Sequence, residues 1–310
     1  MYSIIVPVYN EELVITETHK RLTGVMQNIS EGYEIIYVND GSRDKTADMI
    51  RTIIEGDKNV RLLDFSRNFG HQTAITAGME NASGDAVIII DADLQDPPEV
   101  ILQMIDKWKQ GYEVVYGKRL KRKGETFFKK WTAAAYYRLL RNMTEMDFPV
   151  DTGDFRLIDR KVCNELKRLP EKNRYVRGLV SWVGFRQTFV EYVREERFAG
   201  ETKYPLKKMI RFAMDGITSF SYKPLKLATY VGFFFAMVSF LYLIVVIVQT
   251  LYFKQTVSGW ASIVAINLFF NGVTLIILGL IGEYIGRIYD ESKNRPLYIL
   301  RDKVGFDEDN

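Results

Sequence analysis

Five short runs of apolar and β-branched residues alternate with amphipathic helical patterns over residues 1 to 118. The predicted strands are residues 2–9, 33–39, 60–65, 86–91 and 113–117. The segments between them carry apolar side chains at helical spacing, as in Val100, Ile101, Met104, Ile105 and Trp108. This alternation predicts a Rossmann-like α/β domain whose mostly parallel sheet is covered on both faces.

The last third of the chain has a different pattern. No charged residue occurs over 227–253 or over 255–282, and each run exceeds the roughly 20 residues that cross a bilayer. Lys and Arg are frequent on both flanks, whereas the connecting turn holds only Lys254. The positive-inside rule therefore predicts a cell-membrane protein with both termini in the cytoplasm. The alternative is a pair of helices buried in a soluble core.

The predicted organisation has four parts along the chain. They are a cytoplasmic α/β domain (1–204), an amphipathic juxtamembrane segment (205–224), two transmembrane helices at about 227–251 and 261–283 within 225–286, and a cytoplasmic tail (287–310). Residues 205–217 have an apolar stripe with basic residues beside it, which predicts a helix in the headgroup plane. A helix packed on the soluble domain is the alternative, and residues 127–143 are a second candidate for an interfacial helix.

Composition narrows the chemistry. The single cysteine excludes a disulfide within the chain, and two histidines exclude a multi-histidine metal site. A metal here would be a hard cation on oxygen ligands, Mg²⁺ or Mn²⁺. With 42 basic against 39 acidic residues the net charge is only +3, and nothing points to nucleic acid. The N-terminus does not have the pattern of a signal peptide.

Polar residues follow the predicted strands at one edge of the sheet, where such sheets bind ligands. Asp91 and Asp93 end the strand 86–91, and the loops 7–12, 39–44 and 66–70 follow the first three strands. Taken singly, Asn10 and Ser42 would suit helix N-caps. Neither the G-x-G-x-x-G fingerprint nor a P-loop is present. A divalent ion held by the paired aspartates would therefore neutralise a bound pyrophosphate.

Six segments carry a family resemblance. They read "IIVPVYNEE", "VNDGSRDKT", "SRNFGHQTAITAGMENASGD", "DADLQDPPE", "YGKR" and "DTGDFRLIDR". Together they resemble glycosyltransferase family 2, and more closely its polyprenyl-phosphate glycosyltransferases, over nearly the whole chain. The resemblance implies a GT-A catalytic domain, a nucleotide-sugar donor (a UDP-sugar, most simply UDP-glucose), and undecaprenyl phosphate as acceptor for cell-envelope glycosylation.

The resemblance also implies residue roles. The base and ribose contacts fall on Pro7, Tyr9, Glu11 and Asp40, and the metal ligands on Asp91, Asp93 and Gln95, with Asp91 also contacting the donor. The acid of the "GDF" motif falls on Asp154 and the acceptor-loop arginine on Arg119. The family's R-x-x-G-x-S-K-Y stretch falls on residues 197–204, from Arg197 through Lys203, with Thr202 in place of the serine.

A phosphate acceptor simplifies the chemistry. Its second pKa lies near 6, so it is a nucleophile at neutral pH without a strong general base. Lys118 and Arg119 begin a basic segment, 117–131, that is expected to meet anionic headgroups and the acceptor phosphate. Asp154 either orients its neighbours or acts as a base, and displacement opposite the nucleotide would invert the anomeric carbon. A diacylglycerol-type acceptor and a non-catalytic nucleotide-sugar-binding scaffold are the alternatives; a homo-oligomer is left open.

Overall fold

One eight-stranded sheet organises the computed structural model, which describes residues 1–120, 152–172, 174–195, 223–253 and 259–306. The strands are β1 (Tyr2–Val8), β2 (Tyr33–Asn39), β3 (Val60–Phe65), β4 (Ala86–Ile89), β5 (Val114–Arg119), β6 (Thr152–Asp159), β7 (Gln187–Tyr192) and β8 (Leu300–Val304). The helices are α1 (Ile15–Met26), α2 (Thr46–Gly56), α3 (His71–Asn81), α4 (Val100–Lys109), α5 (Arg160–Arg168), α6 (Val176–Trp182), α7 (Lys223–Phe253) and α8 (Trp260–Ser292). The five predicted strands are all present: β2 and β3 have the predicted bounds, and β1, β4 and β5 differ from theirs by one or two residues.

The sheet order is β7-β5-β6-β4-β1-β2-β3-β8. The pairs β1–β2, β1–β4 and β2–β3 are parallel, as the alternation predicts, and β5 also pairs in parallel with β7, a strand that was not predicted. Two strands are antiparallel to their neighbours: β6 lies between β4 and β5, and β8 pairs with β3. Neither was predicted, because β6 places Asp154 and Arg156 among its apolar residues and β8 is a mostly polar edge strand.

Side chains on the two faces of the sheet enter separate cores. Helices α1, α2 and α4 pack on one face, where Ile4 and Val6 of β1 point. Helices α3, α5 and α6 pack on the other face, which receives Ile5. Gly78 lets α3 lie against β1, since a Cβ there would collide with the Ile5 side chain. The predicted covering of both faces is confirmed, and it leaves the carboxyl ends of the strands free for a site.

The two long C-terminal helices have a different environment. Each contains a stretch that is long and apolar enough to cross a membrane, and neither stretch is buried inside the protein. Phe235 of α7 lies edge-to-face against Phe269 and Phe270 of α8, with ring centroids 5.4 Å apart in each pair. This exposure disfavours the buried-core alternative. The predicted interfacial helices, 205–217 and 127–143, lie outside the described residues.

The segment after α8 returns to the α/β domain. Strand β8 extends the sheet beside β3, and Tyr298 stacks on Phe65 with centroids 5.1 Å apart. The Tyr298 hydroxyl donates to Glu80 at 2.8 Å, and Arg51 bridges Asp302 at 3.0 Å. The predicted tail, 287–310, therefore includes the end of α8 and an integral edge strand of the sheet. We call residues 298–306 the C-terminal strap.

Candidate active site

The loops after β1 and β2 are tied to each other. The Asn10 amide donates to Ser42 Oγ at 2.9 Å, and the Arg43 amide donates to Asn10 Oδ1 at 2.9 Å. Asn10 takes the left-handed region, φ 55°, which asparagine tolerates. The interpretation of Asn10 and Ser42 as helix N-caps is wrong, because α1 and α2 begin without a side-chain cap. These two residues instead hold the loops after β1 and β2 together at the carboxyl ends of the strands.

The four residues predicted to contact the nucleotide lie at this edge of the sheet and differ in how exposed they are. Tyr9 is 37% exposed and Glu11 is partly exposed, whereas Pro7 is buried within β1. Asp40 is also buried, and its carboxylate accepts from the Phe69 amide at 2.6 Å and the Gly70 amide at 3.0 Å. Burial raises the pKa of Asp40 despite these amide bonds. Asp40 thus anchors the loop 66–70, and the nucleotide contacts of all four residues remain predictions.

The loop after β4 holds the paired aspartates in a constrained backbone. Thr18 of α1 donates its hydroxyl to the Ala92 carbonyl at 2.7 Å, and the Gln95 amide donates to Asp93 Oδ1 at 3.2 Å. Leu94, between Asp93 and Gln95, has φ 56°. Such a value is unusual for a bulky residue and persists only where the surroundings enforce it.

Asp91 has an unsatisfied buried oxygen. Its Oδ1 atom accepts no hydrogen bond, and the nearby His71 Nε2 lies 3.5 Å away. Burial raises the pKa of Asp91; His71 opposes the shift, while the carboxylates of Asp154, Asp96 and Asp93 add to it. A divalent cation would satisfy the oxygen and relieve the repulsion.

The donor set around Asp91 fits a hard cation. Asp93 offers a second carboxylate, and Gln95 is buried beside them at 8% exposure. Across the part of the chain that the structure describes, no group of three or more His, Cys, Asp or Glu side chains is arranged to hold a metal. A Mg²⁺-type ion seldom needs such a cage, since one or two carboxylates and substrate phosphates suffice.

Asp154, on β6, is clamped by cations. Arg177 donates Nε to Oδ1 at 2.8 Å and Nη2 to Oδ2 at 3.0 Å, while His71 Nε2 lies 3.3 Å from Oδ2. Gln72 also reaches Oδ2, at 3.4 Å, and accepts from the Val176 amide at 3.0 Å. Burial alone would raise the pKa of Asp154, but Arg177 and His71 hold it well below its usual range. Asp154 is therefore a fixed anion with both oxygens occupied.

Arg119 lies at the end of β5, and its guanidinium also has polar partners. Its Nη2 lies 3.3 Å from Asp96 Oδ2, and its Nε donates to the Tyr192 hydroxyl at 3.2 Å. A Cβ at Gly153 would lie 2.5 Å from Arg119 Nη2, so a larger residue there would displace the Arg119 guanidinium. Lys118 pairs with Glu191 at 2.8 Å, nearer the surface.

Two predicted site residues, Arg197 and Lys203, lie outside the described residues, so their predicted roles are untested.

Several candidate site residues were not predicted from the sequence. The structure adds His71 and Arg177 around Asp154, and it adds a second cluster formed by Asp96, Tyr192 and Arg194 around Arg119. The "DADLQD" sequence contained a signal for Asp96, a third carboxylate in the same loop, but nothing in the sequence links Arg177 to Asp154.

The chain has the GT-A-like α/β fold of a glycosyltransferase. Residues 3–167 match the family model "Glycosyl transferase family 2", and residues 223–288 match "GtrB C-terminal hairpin". The chain belongs to glycosyltransferase family 2. Its α7–α8 pair corresponds to the hairpin of the second model.

Individual relatives agree over the full length. The chain is 63% identical over 306 residues to an uncharacterised glycosyltransferase of Bacillus subtilis, YkcC, covering 99% of this chain and 95% of the relative. It is 44% identical over 301 residues to the bactoprenol glucosyl transferase of Shigella phage SfV, covering 97% and 98%. Among solved structures, the mannosyltransferase PcManGT from Pyrobaculum calidifontis in complex with GDP-Man and Mn²⁺ has 19% identity, coverage of 82% and 88%, and a TM-score of 0.47.

Proposed function

We propose that this enzyme transfers glucose from UDP-glucose to undecaprenyl phosphate, with inversion, at the cytoplasmic face of the cell membrane and with Mg²⁺ or Mn²⁺. One observation carries the proposal: a buried, unsatisfied Asp91 oxygen lies beside Asp154, whose own oxygens are both taken. Asp91 thus keeps an oxygen available to a divalent ion, whereas Asp154 offers no free base. The bactoprenol glucosyl transferases among the relatives support the sugar and the lipid acceptor.

On the donor side, Asp91 and Asp93 would hold the divalent ion, with Gln95 next to them. When bound, such an ion acts as a Lewis acid that stabilises negative charge on the departing nucleoside diphosphate. Tyr9 and Glu11 border the cleft where the nucleotide would lie, and Asp40 shapes it through the loop 66–70.

On the acceptor side, the nucleophile is an oxygen of the lipid phosphate, already ionised at neutral pH. It forms the new bond to the anomeric carbon as the bond from that carbon to the UDP oxygen breaks. The bonding electron pair leaves with UDP, and no proton has to be removed. An α-linked donor gives a β-linked lipid phosphate. The occupied oxygens of Asp154 support this route over one that deprotonates a hydroxyl acceptor.

The domain organisation follows from the same proposal. The α7–α8 hairpin spans the bilayer, and the basic segments near it keep the α/β domain on the cytoplasmic side. The site would then lie at the membrane surface, where the lipid phosphate is already located. A soluble enzyme would have to extract the polyprenyl chain from the bilayer.

A donor panel tests the proposal. Membranes containing the protein are incubated with labelled UDP- and GDP-sugars, and the lipids are extracted and separated. We expect label from UDP-glucose in a polyprenyl-phosphate product that mild acid hydrolyses, its loss with EDTA, and its return with Mg²⁺ or Mn²⁺. Label in a diacylglycerol product, or none from any donor, would contradict the proposal.

A further inference from the structure

Asp96 carries the third carboxylate of the loop after β4, which also contains Asp91 and Asp93, and its side chain is completely buried. A buried carboxylate is unfavourable unless cations and hydrogen bonds surround it. The Tyr192 hydroxyl donates to its Oδ1 at 2.5 Å, and Arg119 Nη2 lies 3.3 Å from its Oδ2. Arg194 approaches the same carboxylate, with Nε 3.5 Å from Oδ1.

Asp96 therefore brings two guanidinium groups together and supplies one negative charge for two positive ones. The Arg119 and Arg194 side chains are 29% and 25% exposed, so water screens their repulsion only in part. Arg194 Nε is buried and donates no hydrogen bond. A pair of partly exposed arginines that share one carboxylate is suited to a phosphate, which guanidinium groups bind in a planar, bidentate manner.

The position of this pair indicates which phosphate it receives. The donor diphosphate has its own partner in the metal held by Asp91 and Asp93, as proposed above. Arg119 ends β5 inside the basic segment 117–131, and Arg194 follows β7 on the chain that leads to residues 205–217; the sequence predicts that both segments meet the membrane. The Leu120 amide donates to the Tyr192 carbonyl at 2.9 Å, which keeps these two chain exits side by side.

We propose that Arg119 and Arg194 together form a two-arginine seat for the acceptor phosphate, with Asp96 and Tyr192 as the positioning residues that hold them. The inference rests on the proposed function and extends it to three residues outside the predicted set. The Glu195 amide donates to the Gln95 carbonyl at 2.9 Å, which connects the chain next to Arg194 with the loop after β4. This hydrogen bond would fix the position of the acceptor phosphate relative to the donor phosphates.

Binding and kinetics of the full-length protein in detergent test the seat. The probes are a short-chain polyprenyl phosphate, inorganic phosphate and UDP, and the variants are Asp96→Asn, Arg194→Gln and Tyr192→Phe. We expect Asp96→Asn and Arg194→Gln to weaken short-chain acceptor binding at least about tenfold, and Tyr192→Phe about threefold. UDP affinity and the KM for UDP-glucose should stay within about twofold in all three.

Arg21→Ala is the matched control. Arg21 pairs with Glu195 and Glu99 at 2.9 Å, next to the seat but outside it, and its loss should leave acceptor binding unchanged. Arg194→Lys should restore part of the lost affinity, because the charge remains while the fork is lost.

The outcomes separate this inference from the function on which it rests. If the wild type does not glycosylate polyprenyl phosphate, the proposed function fails, and the binding arm still decides the seat. Parallel loss of inorganic phosphate affinity would support the seat, with the phosphate group as the recognised chemistry. Unchanged acceptor binding in Arg194→Gln, or an equal loss of UDP binding in Asp96→Asn, would overturn it.

Discussion

Two carboxylates from neighbouring strands face the same histidine and differ in almost every other respect. His71 Nε2 lies 3.5 Å from Asp91, after β4, and 3.3 Å from Asp154, on β6. Asp91 keeps a buried oxygen without a hydrogen bond, and its pKa is raised. Asp154 has both oxygens bonded to Arg177, and its pKa is lowered.

The difference teaches how one pocket separates two roles. Burial raises the pKa of both carboxyl groups, so desolvation alone does not distinguish them. Arg177 is the deciding group, because its guanidinium neutralises Asp154 and leaves Asp91 among like charges. Environments that push two neighbouring carboxyl groups in opposite directions assign them different tasks. Asp91 is suited to bind a cation, and Asp154 is suited to hold its neighbours in place.

Removing either of the proposed metal ligands, Asp91 and Asp93, should have the largest effect. We expect Asp91→Ala or Asp93→Ala to lower lipid glucosylation by at least about 100-fold, since an active-site metal stabilises the leaving group by several kcal/mol. The measurement is label transfer to lipid in membranes with matched protein levels. Asp106→Asn, an exposed carboxylate on α4, is the control and should be unaffected. Wild-type activity in Asp93→Ala would refute its metal role.

Asp154→Asn tests the other member. With a phosphate acceptor we expect about a tenfold loss, the cost of loosening an orienting clamp, because no base is removed. Arg177→Lys should cause a similar loss, since lysine keeps the charge but cannot form the two parallel bonds.

The alternative of a hydroxyl acceptor predicts a different pair of results. Asp154 would then be the general base, so Asp154→Asn would be nearly inactive while Arg177→Lys kept most of its activity. Rates measured side by side with polyprenyl phosphate and diacylglycerol distinguish the two acceptors.

His71 gives a smaller effect with an informative sign. Burial lowers the pKa of His71, but the bond to Asp154 and the charge of Asp91 raise it overall, to about 9. A charged imidazole beside Asp91 competes with a metal ion. We therefore expect His71→Gln to reduce the Mn²⁺ concentration needed for half-maximal activity by about threefold, judged from one screened charge. A higher Mn²⁺ requirement would show that His71 supports the metal site.

Much of the fold was predictable, because β1 to β5 are apolar runs whose burial is dictated by their own side chains. The paired aspartates were predictable for the same reason, since they end such a run. The partners of Asp154 were not, because Arg177 and His71 lie far from it in sequence and meet it only through the antiparallel placement of β6 and the packing of α3 against α6. Strand β8 also gave no signal, since an edge strand needs no apolar alternation.

The C-terminal strap offers the mildest test, and it concerns the loop that positions His71. Tyr298 stacks on Phe65, whose ring meets Phe69 edge-to-face at 5.6 Å, and the Ser66 amide donates to the Ile299 carbonyl at 2.9 Å. We expect Tyr298→Ala to destabilise the α/β domain by about 2 kcal/mol and Tyr298→Phe by about 1 kcal/mol, measured by thermal unfolding in detergent.

The strap also changes how the membrane hairpin should be tested. A fragment that stops before α7 loses β8 as well, so its loss of donor binding would not report on membrane tethering. A chain in which a flexible linker replaces α7 and α8 but keeps the strap separates the two effects. We expect that chain to bind UDP like the wild type and to use long-chain acceptor poorly. If a fragment without the strap unfolds at the same temperature and binds UDP equally well, then β8 does not stabilise the loop 66–70. His71 would in that case be positioned by α3 alone.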